Sequence, residues 1–150
     1  MIKTSLMFGL LLLCLNTQAQ GRWFNFGELD SLRKVEERPV LVFLEAEWCV
    51  YCKKMKREAF SKADIQEEIA ARFWPVLLDI EDPQSYQFNG KLYSNTSELK
   101  YHQLAYLLTQ QNEEPITPTF AIFNKHFNLQ VFVQKYLSRK DIKAFLSKHY

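Results

Sequence analysis

Cys49 and Cys52 stand three positions apart in the segment Trp48-Cys49-Val50-Tyr51-Cys52-Lys53. On one helical turn that spacing brings two sulfurs within disulfide reach. The chemistry such a pair can do is thiol–disulfide exchange, in which one thiolate attacks a foreign disulfide and the second thiol resolves the mixed disulfide. The residues on either side suit this division of labour. At the start of a helix, Cys49 would meet unpaired backbone N–H groups and the positive end of the helix dipole, both of which favour thiolate over thiol. Lys53 and Lys54 add positive charge nearby. Cys49 therefore reads as the attacking nucleophile, and Cys52, one turn further in and more buried, as the resolving thiol.

Three other uses of two cysteines compete. A zinc site needs four ligands, and His102, His126 and His149 are widely scattered. A purely structural disulfide closing so small a loop removes little chain entropy. Haem attachment requires a histidine directly after the second cysteine, where Lys53 stands. Redox exchange is preferred to the three together.

The motif has to be held by its neighbours. Val40 to Leu44 is a continuous apolar run of strand length, which predicts a central strand covered on both faces. Residues 49–60 then alternate basic residues with Met55, Ala59 and Phe60, a helix with a solvated basic face. Before the strand, Trp23 to Phe26 is a short aromatic run that suits an edge strand. Glu28 to Glu37 follows as a helix with Leu29, Leu32 and Val35 near helical spacing, stopped by Pro39. Beyond the motif, Ser61 and Asp64 suggest a capping arrangement for a helix that turns Ile65 and Ile69 inward. Val76 to Ile80 predicts a second buried strand, with Pro75 just ahead of it.

Glu81 to Ser97 is polar and carries Asn89-Gly90, which predicts a loop or small hairpin. Leu99 to Gln110 predicts a helix with Tyr101, Leu104, Ala105 and Leu108 on one face and His102 at the surface. Thr119–Phe123 and Leu129–Val133 predict an antiparallel hairpin. Ser138 with Asp141 opens a last helix that turns Ile142, Phe145 and Leu146 inward. Two parallel units followed by a hairpin imply an α/β chain: a central mixed sheet with helices on both faces.

Composition is compatible with that architecture. The chain of 150 residues is 47% hydrophobic, 15% aromatic and 24% charged, which excludes a disordered, collagen-like or disulfide-dense chain and suits one domain. Its net charge of +2 gives no argument for nucleic acid or an anionic membrane as the main partner. With 4 glycines there is no glycine-rich phosphate loop. No metal, flavin or nucleotide signature is present, and no cofactor is expected.

Residues 1–19 read as a secretory signal peptide and 20–150 as the domain. Lys3 supplies the positive n-region, Leu6 to Leu15 an apolar run, and Thr17-Gln18-Ala19 small residues for cleavage after Ala19. The run is short against the roughly 20 apolar residues that span a bilayer. Cys14 is similar only poorly to a lipoprotein acylation site, because Leu13 precedes it, and so falls within the removed leader. Two cysteines remain in the exported chain, in a compartment where thiol–disulfide chemistry matters.

The stretch Glu45-Ala46-Glu47-Trp48-Cys49-Val50-Tyr51-Cys52-Lys53 resembles the active site of the thioredoxin superfamily, above all its secreted and periplasmic bacterial members. Arg38-Pro39-Val40, Ala59-Phe60-Ser61 and Ile116-Thr117-Pro118-Thr119-Phe120 fall where that family has them. The resemblance implies the thioredoxin fold, with Pro118 as a cis-proline facing the cysteines. It also implies a Thr117 backbone that pairs with a substrate segment as an added strand, and a Trp48 packed beside the site.

The sequence departs from the family in two places. Thioredoxins carry a buried Asp about where Phe43 stands, so the usual proton acceptor for Cys52 is missing. Glu45, two residues on and on the same strand face, is the available substitute if partly buried; a solvent-facing strand end is its other reading. Between the cysteines stand Val50 and Tyr51 in place of Gly-Pro, and both present apolar surface beside the nucleophile.

The resulting expectation is a monomeric thiol–disulfide oxidoreductase that reduces disulfides of exported proteins. Protein thiols and disulfides are its substrates, and an upstream, membrane-borne dithiol donor recharges it. A disulfide oxidant or isomerase is the first alternative. A non-catalytic binding module of the same fold is the second.

Overall fold

The computed structural model describes residues 21–109 and 114–148. The expected signal peptide, Cys14, Gln110 and His149 lie outside the described residues. The elements are α1 (Phe26–Val35), β1 (Val40–Glu45), α2 (Val50–Met55), a π-helical turn (Lys56–Phe60) and α3 (Ala63–Arg72). They continue with β2 (Trp74–Asp79), β3 (Tyr86–Phe88), β4 (Lys91–Tyr93), α4 (Gln103–Thr109), β5 (Thr119–Phe123), β6 (Leu129–Val133) and α5 (Arg139–Lys148).

The main sheet has the order β2-β1-β5-β6. β1 runs parallel to β2, with Val42 opposite Val76 and Glu45 opposite Asp79. β5 is antiparallel to β1, with Leu44 opposite Thr119, and β6 returns antiparallel to β5. This is the mixed sheet of the thioredoxin fold. Consecutive residues of β1 and β5 are all buried apart from the terminal Glu45, because both sheet faces are covered. The π-helical turn and α3 pack with α5, while α1 packs with β2 and the β3–β4 hairpin.

Local chemistry explains most boundaries. Asn25 caps α1 in a reciprocal capping box with Glu28. The helix stops at Val35, four residues short of Pro39, and Val35 is 86% exposed, so the inward residues are Phe26 and Leu29 rather than Val35. The basic helix after Cys49 widens at its end: the Ser61 N–H donates to the Lys56 carbonyl five residues back at 2.9 Å. That wider turn buries both Ala59 and Phe60. Ser61 and Asp64 form no capping box. The Ser61 hydroxyl donates to the Arg57 carbonyl, and the Asp64 carboxylate is taken by Arg139 and Lys143 of α5.

Pro75 lies inside β2 rather than before it, which the strand tolerates because β2 lines the outer edge of the sheet. There the Phe24 N–H donates to the Pro75 carbonyl at 2.9 Å, and the Leu77 N–H donates to the Phe24 carbonyl at 3.0 Å. The aromatic run before α1 thus contributes one bridging residue at the edge. The β3–β4 hairpin turns on Asn89 and Gly90, both at positive φ (49° and 74°), the backbone a tight two-residue turn requires. Ser138 and Asp141 do form the expected reciprocal cap of α5, over buried Ile142 and Leu146.

His102 is not on the surface. It is fully buried just ahead of α4 and caps it, its Nδ1 accepting the Leu104 N–H at 3.1 Å. Its Nε2–H donates to the Gln84 carbonyl at 3.0 Å, which fixes the neutral tautomer. Burial holds the His102 pKa below the ordinary histidine value.

Candidate active site

The cysteines occupy the end of the sheet where β1 finishes. Cys49 is the residue before α2 and caps it: its Sγ accepts the Cys52 N–H at 3.1 Å. Ala46 accepts the Cys49 N–H at 3.0 Å, folding the chain tightly from strand into helix. Cys49 and Cys52 are joined as a disulfide with a Cα–Cα distance of 5.2 Å. Cys52 is fully buried and Cys49 retains 4% exposure, the order expected of resolving and attacking thiols.

The Thr117–Pro118 peptide bond is cis. Because Thr119 lies opposite Leu44, Thr117 and Pro118 enter the sheet at the end where Cys49 leaves it. The Thr117 Oγ1 is shielded from solvent and has no hydrogen-bond partner among the described residues.

An exposed apolar rim surrounds the pair. Trp48 is 57% exposed, Val50 74%, Tyr51 60% and Ile116 49%. Trp48 therefore stands open at the site instead of packing down. The Tyr51 ring lies 6.0 Å from that of Tyr136, which follows β6. The Tyr136 hydroxyl donates to Glu58 Oε2 at 3.2 Å, and Lys54 Nζ sits 4.9 Å over its ring. Burial, then the hydrogen bond to Glu58, pushes the Tyr136 phenol up.

Phe43 fills the position where thioredoxins carry a carboxylate. It is fully buried, its ring 4.9 Å from Phe60 and 6.1 Å from Trp23. Glu45 is partly shielded, with 13% of its side chain exposed, and Lys56 Nζ donates to its two oxygens at 2.8 and 2.7 Å. A cleft of about 310 Å³ opens against Phe43, Lys56 and Phe60 on this flank. A larger cleft, about 440 Å³ between α1 and the β3–β4 hairpin, contains no motif residue.

Next to Glu45, at the end of β2, stands Asp79. Burial, then the charges of Glu81, Asp82 and Glu47, raise its pKa against the opposing hydrogen bond from the Glu81 N–H. Lys53 is exposed at the mouth. Among the described residues no group of three or more His, Cys, Asp or Glu side chains could hold a metal.

The structure thus brings Cys49, Cys52, Trp48, Thr117, Pro118, Glu45 and Lys53 to one end of the sheet. Sequence reasoning missed Lys56 and Tyr136. Lys56 stands one helical turn after Cys52, a spacing that could have marked it. Tyr136 has no local signal, since only the sheet order carries it to Tyr51.

Comparison with known proteins agrees with this geometry. No curated protein matches the sequence. Among solved structures, a thioredoxin from Thermus thermophilus is similar at 20% identity and a TM-score of 0.59, covering 85% of each chain. A DsbH oxidoreductase is similar at 17% identity and a TM-score of 0.55, covering 85% of this chain and 80% of its own. The oxidised C-terminal domain of DsbD from Neisseria meningitidis is similar at 15% identity and a TM-score of 0.53, covering 85% of this chain and 98% of its own. At these identities the likeness is one of fold. The family model for the thioredoxin-like domain matches residues 28–150. With its disulfide-bonded Cys49-Val50-Tyr51-Cys52 motif, the chain belongs to the thioredoxin-like domain family and is a thiol–disulfide oxidoreductase.

Proposed function

We propose that the protein reduces disulfides of exported proteins. The carrying observation is the Cys49–Cys52 disulfide at the end of the sheet, with Cys49 retaining slight exposure inside an open apolar rim. In the reduced protein, the Cys49 thiolate attacks a client disulfide. One client sulfur bonds to Cys49 and the other leaves as a thiolate. Cys52 then loses its proton and attacks the Cys49 sulfur. The internal disulfide forms and the second client thiolate departs, so two electrons have passed to the client. An upstream dithiol donor restores the pair.

In this reading Glu45 receives the Cys52 proton through water, in place of the carboxylate that Phe43 displaces, while Lys56 holds Glu45 at that flank. The Thr117 backbone pairs with the client chain, Pro118 seats it, Trp48 covers it, and the Lys53 charge favours the Cys49 thiolate. The leader at residues 1–19 carries the chain out of the cytoplasm, and the exported protein works as a monomer.

The equilibrium redox potential of the pair tests the direction. A value near or below about −230 mV supports the reductant, and one above about −150 mV overturns it in favour of an oxidant or isomerase. Cys52→Ser should trap a mixed disulfide with clients; no trapped species would point to a binding module. Glu45→Gln should slow client release while leaving mixed-disulfide formation intact.

A further inference from the structure

The rim around the cysteines is electrically divided along the sheet order β2-β1-β5-β6. Over the β2 end lie Glu47, Asp79, Glu81 and Asp82, while Glu45 nearby is matched by Lys56. Over the β6 end lies Lys135 beside Tyr136, with the Asp141 carboxylate within its field. Lys54 and Arg57 are engaged there by Glu58. Lys135 is exposed, as are Glu47 and Glu81, and none of the three forms a salt bridge among the described residues. The cysteine pair sits between the two flanks.

The β6 flank also carries the Tyr51–Tyr136 shelf. Tyr51 leaves its ring open to solvent, and Tyr136 is braced behind it by Glu58 and Lys54. A flat, braced aromatic surface offers contact area at low entropic cost. Opposite charges on the two sides of one groove bias the orientation of whatever crosses it, chiefly through encounter rate and register.

We propose that the client is an extended disulfide-bearing segment that lies across the pair in one orientation, its aromatic and acidic residues toward Tyr136 and Lys135 and its basic residues toward Glu47 and Glu81. This inference rests on the disulfide-reductase reading and names the substrate class of that site.

The test uses single-turnover reduction by the reduced protein. Two synthetic peptides each carry one cysteine capped by mercaptoethanol. One has Lys-Lys before the cysteine and Tyr-Glu-Glu after it, and the other has the flanks exchanged. Backbone pairing fixes chain direction, so only one of them matches the divide. The matched peptide should react about tenfold faster at low salt, with the gap closing in high salt. The double variant Glu81→Lys with Lys135→Glu should invert the ratio, a readout in which intrinsic cysteine reactivity cancels.

A ratio within twofold, or one unchanged in the double variant, overturns the inference while leaving the reductase reading standing, provided hydroxyethyl disulfide is still reduced. Failure to reduce hydroxyethyl disulfide overturns both. A dimer that forms at low salt and covers the shelf would also overturn the inference, because it would make a second copy the occupant.

Discussion

Lowering the pH should loosen the acidic side of the active site through His102. The buried ring is neutral because its Nδ1 accepts the Leu104 N–H while its Nε2–H donates to the Gln84 carbonyl. A proton on Nδ1 would set two donors against each other in a buried place. Losing that cap and stranding the Leu104 N–H costs about 1–3 kcal/mol.

The sign follows from the lowered pKa. The unfolded chain, with histidine near about 6.5, takes up the proton before the folded one does. Stability is therefore complete above about pH 6.5 and falls as pH drops from there through the folded value. The hydrogen bond to the Gln84 carbonyl, and then the charge of Asp82, oppose the shift only in part. For a domain of this size the loss is about 3–10 °C in melting temperature.

The assay is urea unfolding at about pH 7.5 and about pH 5, for wild type and His102→Asn. Asparagine keeps a capping acceptor but takes up no proton, so the variant should lose less stability across that window. Equal losses in the two proteins would refute the reasoning. Because the His102 N–H donates to the Ile80 carbonyl, and the Ile80 N–H to the Glu45 carbonyl, the loosening should reach Glu81 and Asp82 first, as faster amide exchange there.

Three further outcomes are expected. Phe43→Ala, which empties the ring position against Phe60 and Trp23, should cost about 3–5 kcal/mol in denaturant unfolding. Thr117→Val should leave stability unchanged or raise it by about 1 kcal/mol, since the hydroxyl has no partner among the described residues; a clear drop would mean that the hydroxyl is hydrogen-bonded in solution. Gly90→Ala should cost about 1 kcal/mol by thermal melting, because the backbone is at φ 74° although the space around it is open.

Features that depend on neighbouring residues were legible in the sequence. The apolar run of β1, the cysteine spacing, the Asn89-Gly90 turn and the Ser138–Asp141 cap each declare themselves within a few residues. What failed depended on distant groups. His102 sits in a polar stretch and is buried because the Gln84 carbonyl, 18 residues away, supplies its partner. Val35 lies six residues from Leu29, about 120° round the helix, and faces solvent where α1 ends. Asp64 misses the capping position because α3 is entered from Lys62 rather than Ser61, and its carboxylate is taken by Arg139 and Lys143 from the far end of the chain. Glu45 could be named as a candidate from strand alternation, while its Lys56 partner depends on how α2 widens into the π-helical turn.

The bridge that Phe24 makes along β2 has a consequence for how the protein behaves among unfolded chains. The outer flank of a sheet is a template on which stray strands can align and aggregate. Here Phe24 occupies the bonding groups of Pro75 and Leu77, and Pro75 has no N–H to offer an incoming chain. An unfolded chain is thereby denied this flank as a nucleus for co-aggregation. Trimming the chain past Phe24 would expose it, and the first symptom would be turbidity in the presence of an unfolded protein rather than a change in thiol–disulfide exchange rate.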